Sequence, residues 1–138
     1  MTNGRLVSDV MHKGVIACKP DTPMQEVIRI VADTDVHAIV VMGSNETVQG
    51  IISHIDIIRL YGQNLMEHTA SEVMTPDVIF VTPSTAVAES ARLMLEKDVH
   101  RLLVIEVLAD GKHKPVGIIS TTDIVKEMRG AKWMWYMG

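Results

Sequence analysis

What most constrains this chain is that much of it is written twice. Gly50-Ile51-Ile52-Ser53-His54-Ile55-Asp56-Ile57 returns as Gly117-Ile118-Ile119-Ser120-Thr121-Thr122-Asp123-Ile124, an offset of 67 residues. Upstream, Ser8-Asp9-Val10-Met11 returns as Ser71-Glu72-Val73-Met74, Pro20-Asp21-Thr22 as Pro83-Ser84-Thr85, and Asp35-Val36-His37 as Asp98-Val99-His100, all at an offset of 63. A register this steady marks an internal duplication, which decides the architecture before any single element does. The second copy is four residues longer. The Ala-Asp-Gly-Lys composition within Glu106 to Lys114 places the extra residues in a longer turn.

Each copy carries the same order of local signals. Val15-Ile16-Ala17-Cys18 and Val78-Ile79-Phe80-Val81 are short β-branched runs ahead of Pro20 and Pro83, which predicts brief strands. A helix follows. Thr22 is placed to cap it, Pro23 suits its first position and Gln25 completes a capping box, while Met24, Val27, Ile28 and Val31 recur at helical spacing. Thr85, Val87, Ala91 and Met94 repeat the pattern. Ala38 to Met42 and Leu102 to Ile105 are near-continuous apolar runs, followed by Val48 to Ile52 and Val116 to Ile119, so each copy predicts a hairpin. A second helix begins near Asp56 and Asp123. The unit is therefore β-α-β-β-α, twice.

One such unit of about 60 residues buries too little surface to be comfortable alone, which predicts two copies packed sheet to sheet. The fold class is mixed α/β (α+β), an internal pseudo-dimer. The organisation is a first motif over 7–62, a linker over 63–69, a second motif over 70–129 and an aromatic C-terminal tail over 130–138. The linker is a candidate hinge. A hydrophobic content of 47 % with 22 % charged residues describes a chain that folds. No apolar run approaches the roughly 20 residues a bilayer span needs, and the N-terminus lacks the apolar core of a signal peptide. With Cys18 as the single cysteine no internal disulfide forms, which suits a reducing cytoplasm. A net charge of −4 gives no general attraction to nucleic acid or anionic membrane, so any anion site must be local.

Val-Met near the start, Pro-x-Thr before one helix and Gly-h-h-Ser-x-x-Asp before another, where h is apolar, resemble tandem cystathionine-β-synthase (CBS) motifs, which pair as a Bateman module. The resemblance covers roughly residues 7 to 129. It implies a regulatory module, not an enzyme, that binds adenosine-containing ligands such as AMP, ADP, ATP, S-adenosylmethionine or NAD in clefts between the two motifs. An effector nucleotide is implied and no cofactor is required. It also implies a homodimer that signals to an effector protein the sequence does not name.

Two readings of the repeated Ser-x-x-Asp coexist. As a capping signature it satisfies free backbone N–H groups. As a ligand site, the carboxylate accepts both hydroxyls of a ribose while the helix N-terminus faces phosphate. Gly50 and Gly117, lacking Cβ, would let backbone approach the ligand closely. By resemblance, Asp56 and Asp123 bind ribose, and each site crosses between motifs. Site 1 then joins Ser53 and Asp56 with Phe80, Val81, His100 and Arg101, the arginine offering a planar fork to phosphate; Ile55 removes a hydroxyl there. Site 2 joins Ser120, Thr122 and Asp123 with Ala17, Cys18, His37 and Ala38, lacks the arginine, and suits a less anionic ligand.

Alternatives from other classes are a ligand-free interaction scaffold and a metal sensor using His37 and His100. The sequence lacks close His or Cys spacing of the zinc kind, so both histidines read as polar residues at helix C-termini and no metal site is expected. Cys18 reads as a small buried hydrophobe. No nucleophile elbow, Walker loop or metalloprotease helix is present, and His54 has no counterpart in the second copy, so no catalytic residue is expected. Three of the five aromatic residues fall in Trp133-Met134-Trp135-Tyr136, a segment expected to pack on the core or on a second subunit.

Overall fold

The computed structural model describes residues 4–129, and the aromatic tail lies outside them. In chain order the elements are α1 (Val7–Val10), β1 (His12–Lys13), β2 (Ile16–Cys18), α2 (Met24–Asp33), β3 (Ala38–Met42), β4 (Val48–Ser53), α3 (His54–Ile58), α4 (Ala70–Val73), β5 (Phe80–Val81), α5 (Val87–Lys97), β6 (Arg101–Val107), β7 (His113–Ser120) and α6 (Thr121–Arg129), with 3-10 turns at Ser44–Glu46 and Leu65–Glu67. The β-α-β-β-α order expected of each copy is present in both, as β2-α2-β3-β4-α3 and β5-α5-β6-β7-α6.

These elements form two compact units whose boundaries differ from those of the sequence repeats. Residues 14–79 with 107–115 make the first-repeat unit; residues 4–13, 80–106 and 116–129 make the second-repeat unit. The leading segment of each repeat therefore joins the body of the other. α4 is anchored in the first-repeat unit by hydrogen bonds from Ala70 N–H to the Thr22 carbonyl at 2.9 Å and from Ser71 N–H to the Pro20 carbonyl at 2.9 Å. In the second-repeat unit the same two bonds run from Val7 N–H to the Thr85 carbonyl at 2.8 Å and from Ser8 N–H to the Pro83 carbonyl at 3.0 Å.

In the first-repeat unit β2 runs parallel to β3, and β3 antiparallel to β4 with Ile39 opposite Ile52. β3 is the central strand, which explains its unbroken apolar run: Ala38, Ile39, Val40 and Val41 are all buried. Ile39, Val41 and Ile52 pack with Met24 and Val27 of α2, and with Leu60 and Ala70, into one cluster. In the second-repeat unit the sheet order is β1-β7-β6-β5, with β5 parallel to β6 and β1 antiparallel to β7. Leu102 to Ile105 and Ile119 are buried there. The α5 face is Val87, Ser90 and Met94; Ser90, not singled out by its polar side chain, is fully buried because its hydroxyl donates to the Val87 carbonyl at 2.7 Å.

Two local expectations are corrected. Thr22 does not cap α2: the N-cap is Pro23, and the Thr22 hydroxyl instead accepts the Lys19 N–H at 3.1 Å. Thr85 does the same for the Thr82 N–H at 3.0 Å. Each threonine closes the turn after a strand, because its side chain meets that N–H before the helix begins. The four additional residues of the second copy are not in the turn either. The turns match, closed by Gly43 N–H to the Thr47 carbonyl at 2.7 Å and by Leu108 N–H to the Lys112 carbonyl at 2.8 Å. Instead β6 and β7 have 7 and 8 residues where β3 and β4 have 5 and 6. The insertion extends each strand by two, which preserves the alternation of faces that a single added residue would reverse.

Among the described residues no helix is long and apolar enough to cross a membrane.

Candidate ligand-binding sites

The repeated carboxylates sit at the N-termini of α3 and α6, 6 % exposed in both cases. Asp56 accepts the Ser53 N–H at 3.0 Å and the Ser53 hydroxyl at 3.3 Å, both on Oδ2. Asp123 accepts the Ser120 N–H at 2.8 Å and the Ser120 hydroxyl at 3.1 Å, and its own N–H donates to the Ser120 Oγ at 3.3 Å. The capping reading of Ser-x-x-Asp is thus realised. It also leaves a desolvated carboxylate on a fixed helix end, a strong acceptor for a hydroxyl pair.

Further donors reach these carboxylates from residues that the sequence did not single out. Thr75 Oγ1 donates to Asp56 at 3.3 Å to Oδ1 and 3.4 Å to Oδ2, and Arg59 Nη1 lies 3.5 Å from Oδ1. His12 Nδ1 lies 3.1 Å from Oδ1 and 3.4 Å from Oδ2 of Asp123. Positions 12 and 75 are related by the 63-residue offset, which was a usable signal; what hid it is that each side chain belongs to the repeat other than its carboxylate's.

The two glycines explain how those leading segments arrive. A Cβ on Gly117 would lie 2.5 Å from the His12 carbonyl oxygen, and one on Gly50 would lie 2.9 Å from that of Thr75. His12 faces Ile118 across the β1–β7 pairing, and Thr75 bridges Ile51 with 3.0 and 2.8 Å hydrogen bonds. The close approach attributed to a ligand is therefore made by the chain itself, with Met11-His12 over Gly117 and Met74-Thr75 over Gly50.

The remaining expected residues divide between the units. Ala17 and Cys18 end β2, Ala38 opens β3 directly opposite Ser53, and His37 precedes it. An open cavity of about 480 Å³ lies beside Ala17, lined by Val15, Met42, Leu108 and Pro115 and by the polar side chains of Glu46, Lys112, His113 and Lys114, within the range of small-molecule pockets. In the second-repeat unit Phe80 and Val81 form β5, Arg101 opens β6, and the His100 carbonyl accepts the Thr121 N–H at 3.0 Å. Thr122 stands exposed on the first turn of α6.

Neither repeated histidine caps a helix: α2 and α5 end at Asp33 and Lys97, before the turns that carry His37 and His100. α5 is closed by Asp98 in the left-handed conformation, φ 54°, a usual way for helices to terminate. The His37 ring meets that of His54 edge to face at 5.9 Å. Among the described residues no group of three His, Cys, Asp or Glu is placed to hold a metal ion.

Burial pushes the Cys18 thiol up from its ordinary range, a hydrogen bond with Thr22 partly opposes this, and Glu26 adds to the rise. Alkylation by iodoacetamide at about pH 7.5 is therefore expected to run more slowly than for a free thiol. A rate equal to that of free cysteine would contradict the burial of this side chain.

The model of the CBS domain family matches residues 7–62 and 70–130. With both halves matched, the chain belongs to the CBS domain family as a tandem pair. A crystal structure of an uncharacterized conserved protein from Pyrococcus horikoshii superposes with a TM-score of 0.78 at 27 % identity, covering 98 % of this chain and 100 % of that one. The structure of CBSX2 in complex with AMP gives 0.70 at 28 % identity over 91 % of this chain and 96 % of that one. The CBS domain pair of protein MJ0100, in complex with 5′-methylthioadenosine and S-adenosyl-L-methionine, gives 0.78 at 25 % identity over 92 % and 98 %. A homoserine O-acetyltransferase of Methanosalsum zhilinae and an inosine-5′-monophosphate dehydrogenase of Methanocaldococcus jannaschii are 28 % and 26 % identical over 90 % and 88 % of this chain. The chain spans 24 % and 23 % of the length of those two relatives.

Proposed function

We propose that this protein is a regulatory module that senses an adenosine-containing ligand, with Asp56 and Asp123 receiving the ribose hydroxyls. The observation that carries this is the pair of nearly buried carboxylates, each fixed by serine and helix N-terminus at the same register of a duplicated fold. The complexes of similar CBS pairs with AMP and with S-adenosyl-L-methionine support the class of ligand. Arg101 is the proposed phosphate partner of site 1, and Ala17, beside the cavity, a proposed ligand contact of site 2. The module itself carries no chemistry. It passes ligand state to a partner as a homodimer in the reducing cytoplasm; a ligand achieves this only by differential affinity for two conformations.

A thermal-shift screen with AMP, ADP, ATP, S-adenosylmethionine, NAD and zinc tests this reading on the intact chain, on Asp56→Ala and on Asp123→Ala. A ligand at a hundred times its Kd adds about 2.7 kcal/mol of stability. One adenosine ligand is expected to raise Tm and an aspartate variant to cancel that rise. Stabilisation by zinc alone would favour the metal reading, and no shift with any compound would favour a scaffold that holds its fold by packing.

A further inference from the structure

Positions 12 and 75 occupy the same place in the two repeats, yet they present different chemistry to the carboxylate. The Thr75 hydroxyl turns about its C–O bond and can both donate and accept, so it stays beside Asp56 while hydroxyls of a diol arrive. The Arg59 contact with Asp56 is long at 3.5 Å, and that side chain is 73 % exposed. His12 is less accommodating. A ring nitrogen that bonds a carboxylate acts there as a donor, and Nδ1 lies within 3.1 and 3.4 Å of both Asp123 oxygens.

A carboxylate offers about four acceptor positions. On Asp123 two are taken by the Ser120 N–H and hydroxyl at 2.8 and 3.1 Å. A vicinal diol donates two hydrogen bonds, so it needs the position that His12 holds. The His12 side chain is 60 % exposed against 5 % for Asp123, so the imidazole stands on the solvent side of the carboxylate.

From this we infer that His12 is a ligand-selecting residue: it competes with the ribose diol for Asp123, making the second-repeat carboxylate the weaker nucleoside acceptor of the two. The inference rests on the nucleoside-binding reading given above. Isothermal titration of the full chain with AMP, with 2′-deoxyadenosine monophosphate as the control lacking the diol, separates the two. Asp56→Ala and Asp123→Ala assign each binding component. His12→Thr, which copies the Thr75 arrangement, is expected to tighten the Asp123-dependent component about tenfold and to leave the Asp56-dependent one unchanged. Thr75→His is expected to weaken the Asp56-dependent component by a similar factor. The preference for AMP over the deoxy compound should rise in His12→Thr, a change that altered folding alone does not produce. His12→Ser is the second variant if His12→Thr melts early, with the same expectation. Asp123-dependent binding that stays within twofold of the parent in both variants overturns the role of His12 and leaves nucleotide sensing intact. AMP binding that is absent, or indifferent to both aspartates, overturns the sensing reading and this inference with it.

Discussion

Ile39→Ala is expected to lower the unfolding free energy by about 3–5 kcal/mol, measured by urea denaturation with the slope held equal between variant and parent. Ile39 is fully buried in the central strand of the first-repeat sheet, opposite Ile52 and against Met24 and Val27 of α2. The loss combines the transfer energy of the missing carbons with the cavity left among neighbours that are themselves fixed. The sheet pins this position on both edges, so the site has little freedom to collapse. Ile55→Ala serves as the control: Ile55 is 56 % exposed, and its truncation should stay within about 0.5 kcal/mol. Equal losses for the two would mean that the described core is not the one that holds the protein together.

Gly117→Ala has the next largest expected effect, a loss of about 2–3 kcal/mol. The added methyl would sit 2.5 Å from the His12 carbonyl oxygen and 2.9 Å from the Met11 sulfur. The nearer atom is backbone, paired in the β1–β7 ladder, so relief requires moving the strand rather than one side chain. Gly50→Ala should cost less, because its nearest contact at 2.6 Å is the flexible Met74 sulfur, with the Thr75 carbonyl at 2.9 Å. An unaltered urea midpoint for Gly117→Ala would show that β1 does not run over that glycine. A second readout follows from the same geometry: displacement of β1 carries His12 away from Asp123, so a nucleotide response should change together with stability.

Much of this molecule is legible in the chain because its signals are local and doubled. The Met24, Val27, Ile28, Val31 spacing specifies α2, the unbroken Ala38 to Met42 run specifies a central strand, and Ser-x-x-Asp specifies a helix start whether or not a ligand ever arrives. What escaped notice is set by distance along the chain. Thr22 was legible as a cap only while its competing partner, the Lys19 N–H, was unplaced. His12 and Thr75 directly follow the repeated Ser8 to Met11 and Ser71 to Met74 segments, which carry no sign of a strand; their role is created by pairing with strands of the other repeat, and no local pattern announces a pairing across more than a hundred residues, as between His12 and Ile118. The glycines gave the right signal, close approach, with the wrong visitor. The insertion misled for a related reason: composition locates the turn, but only the closing hydrogen bonds show that the turn kept its length and the strands grew.

The exchange of leading segments has a consequence for how the protein is made. Synthesis proceeds from the N-terminus, and domains tend to fold as they emerge. Residues 14–79 form a continuous stretch that contains all of the first-repeat unit except residues 107–115, so most of that unit can assemble while the rest is still being translated. The second-repeat unit has no such option. Its first strand, β1, leaves the ribosome well before the β7 backbone it pairs with, His12 preceding its partner Ile118 by 106 residues. Until Gly117 and Ile118 appear, the segment carrying Met11 and His12 is an unpaired edge awaiting its sheet, open to chaperones and proteases while the intervening residues are made.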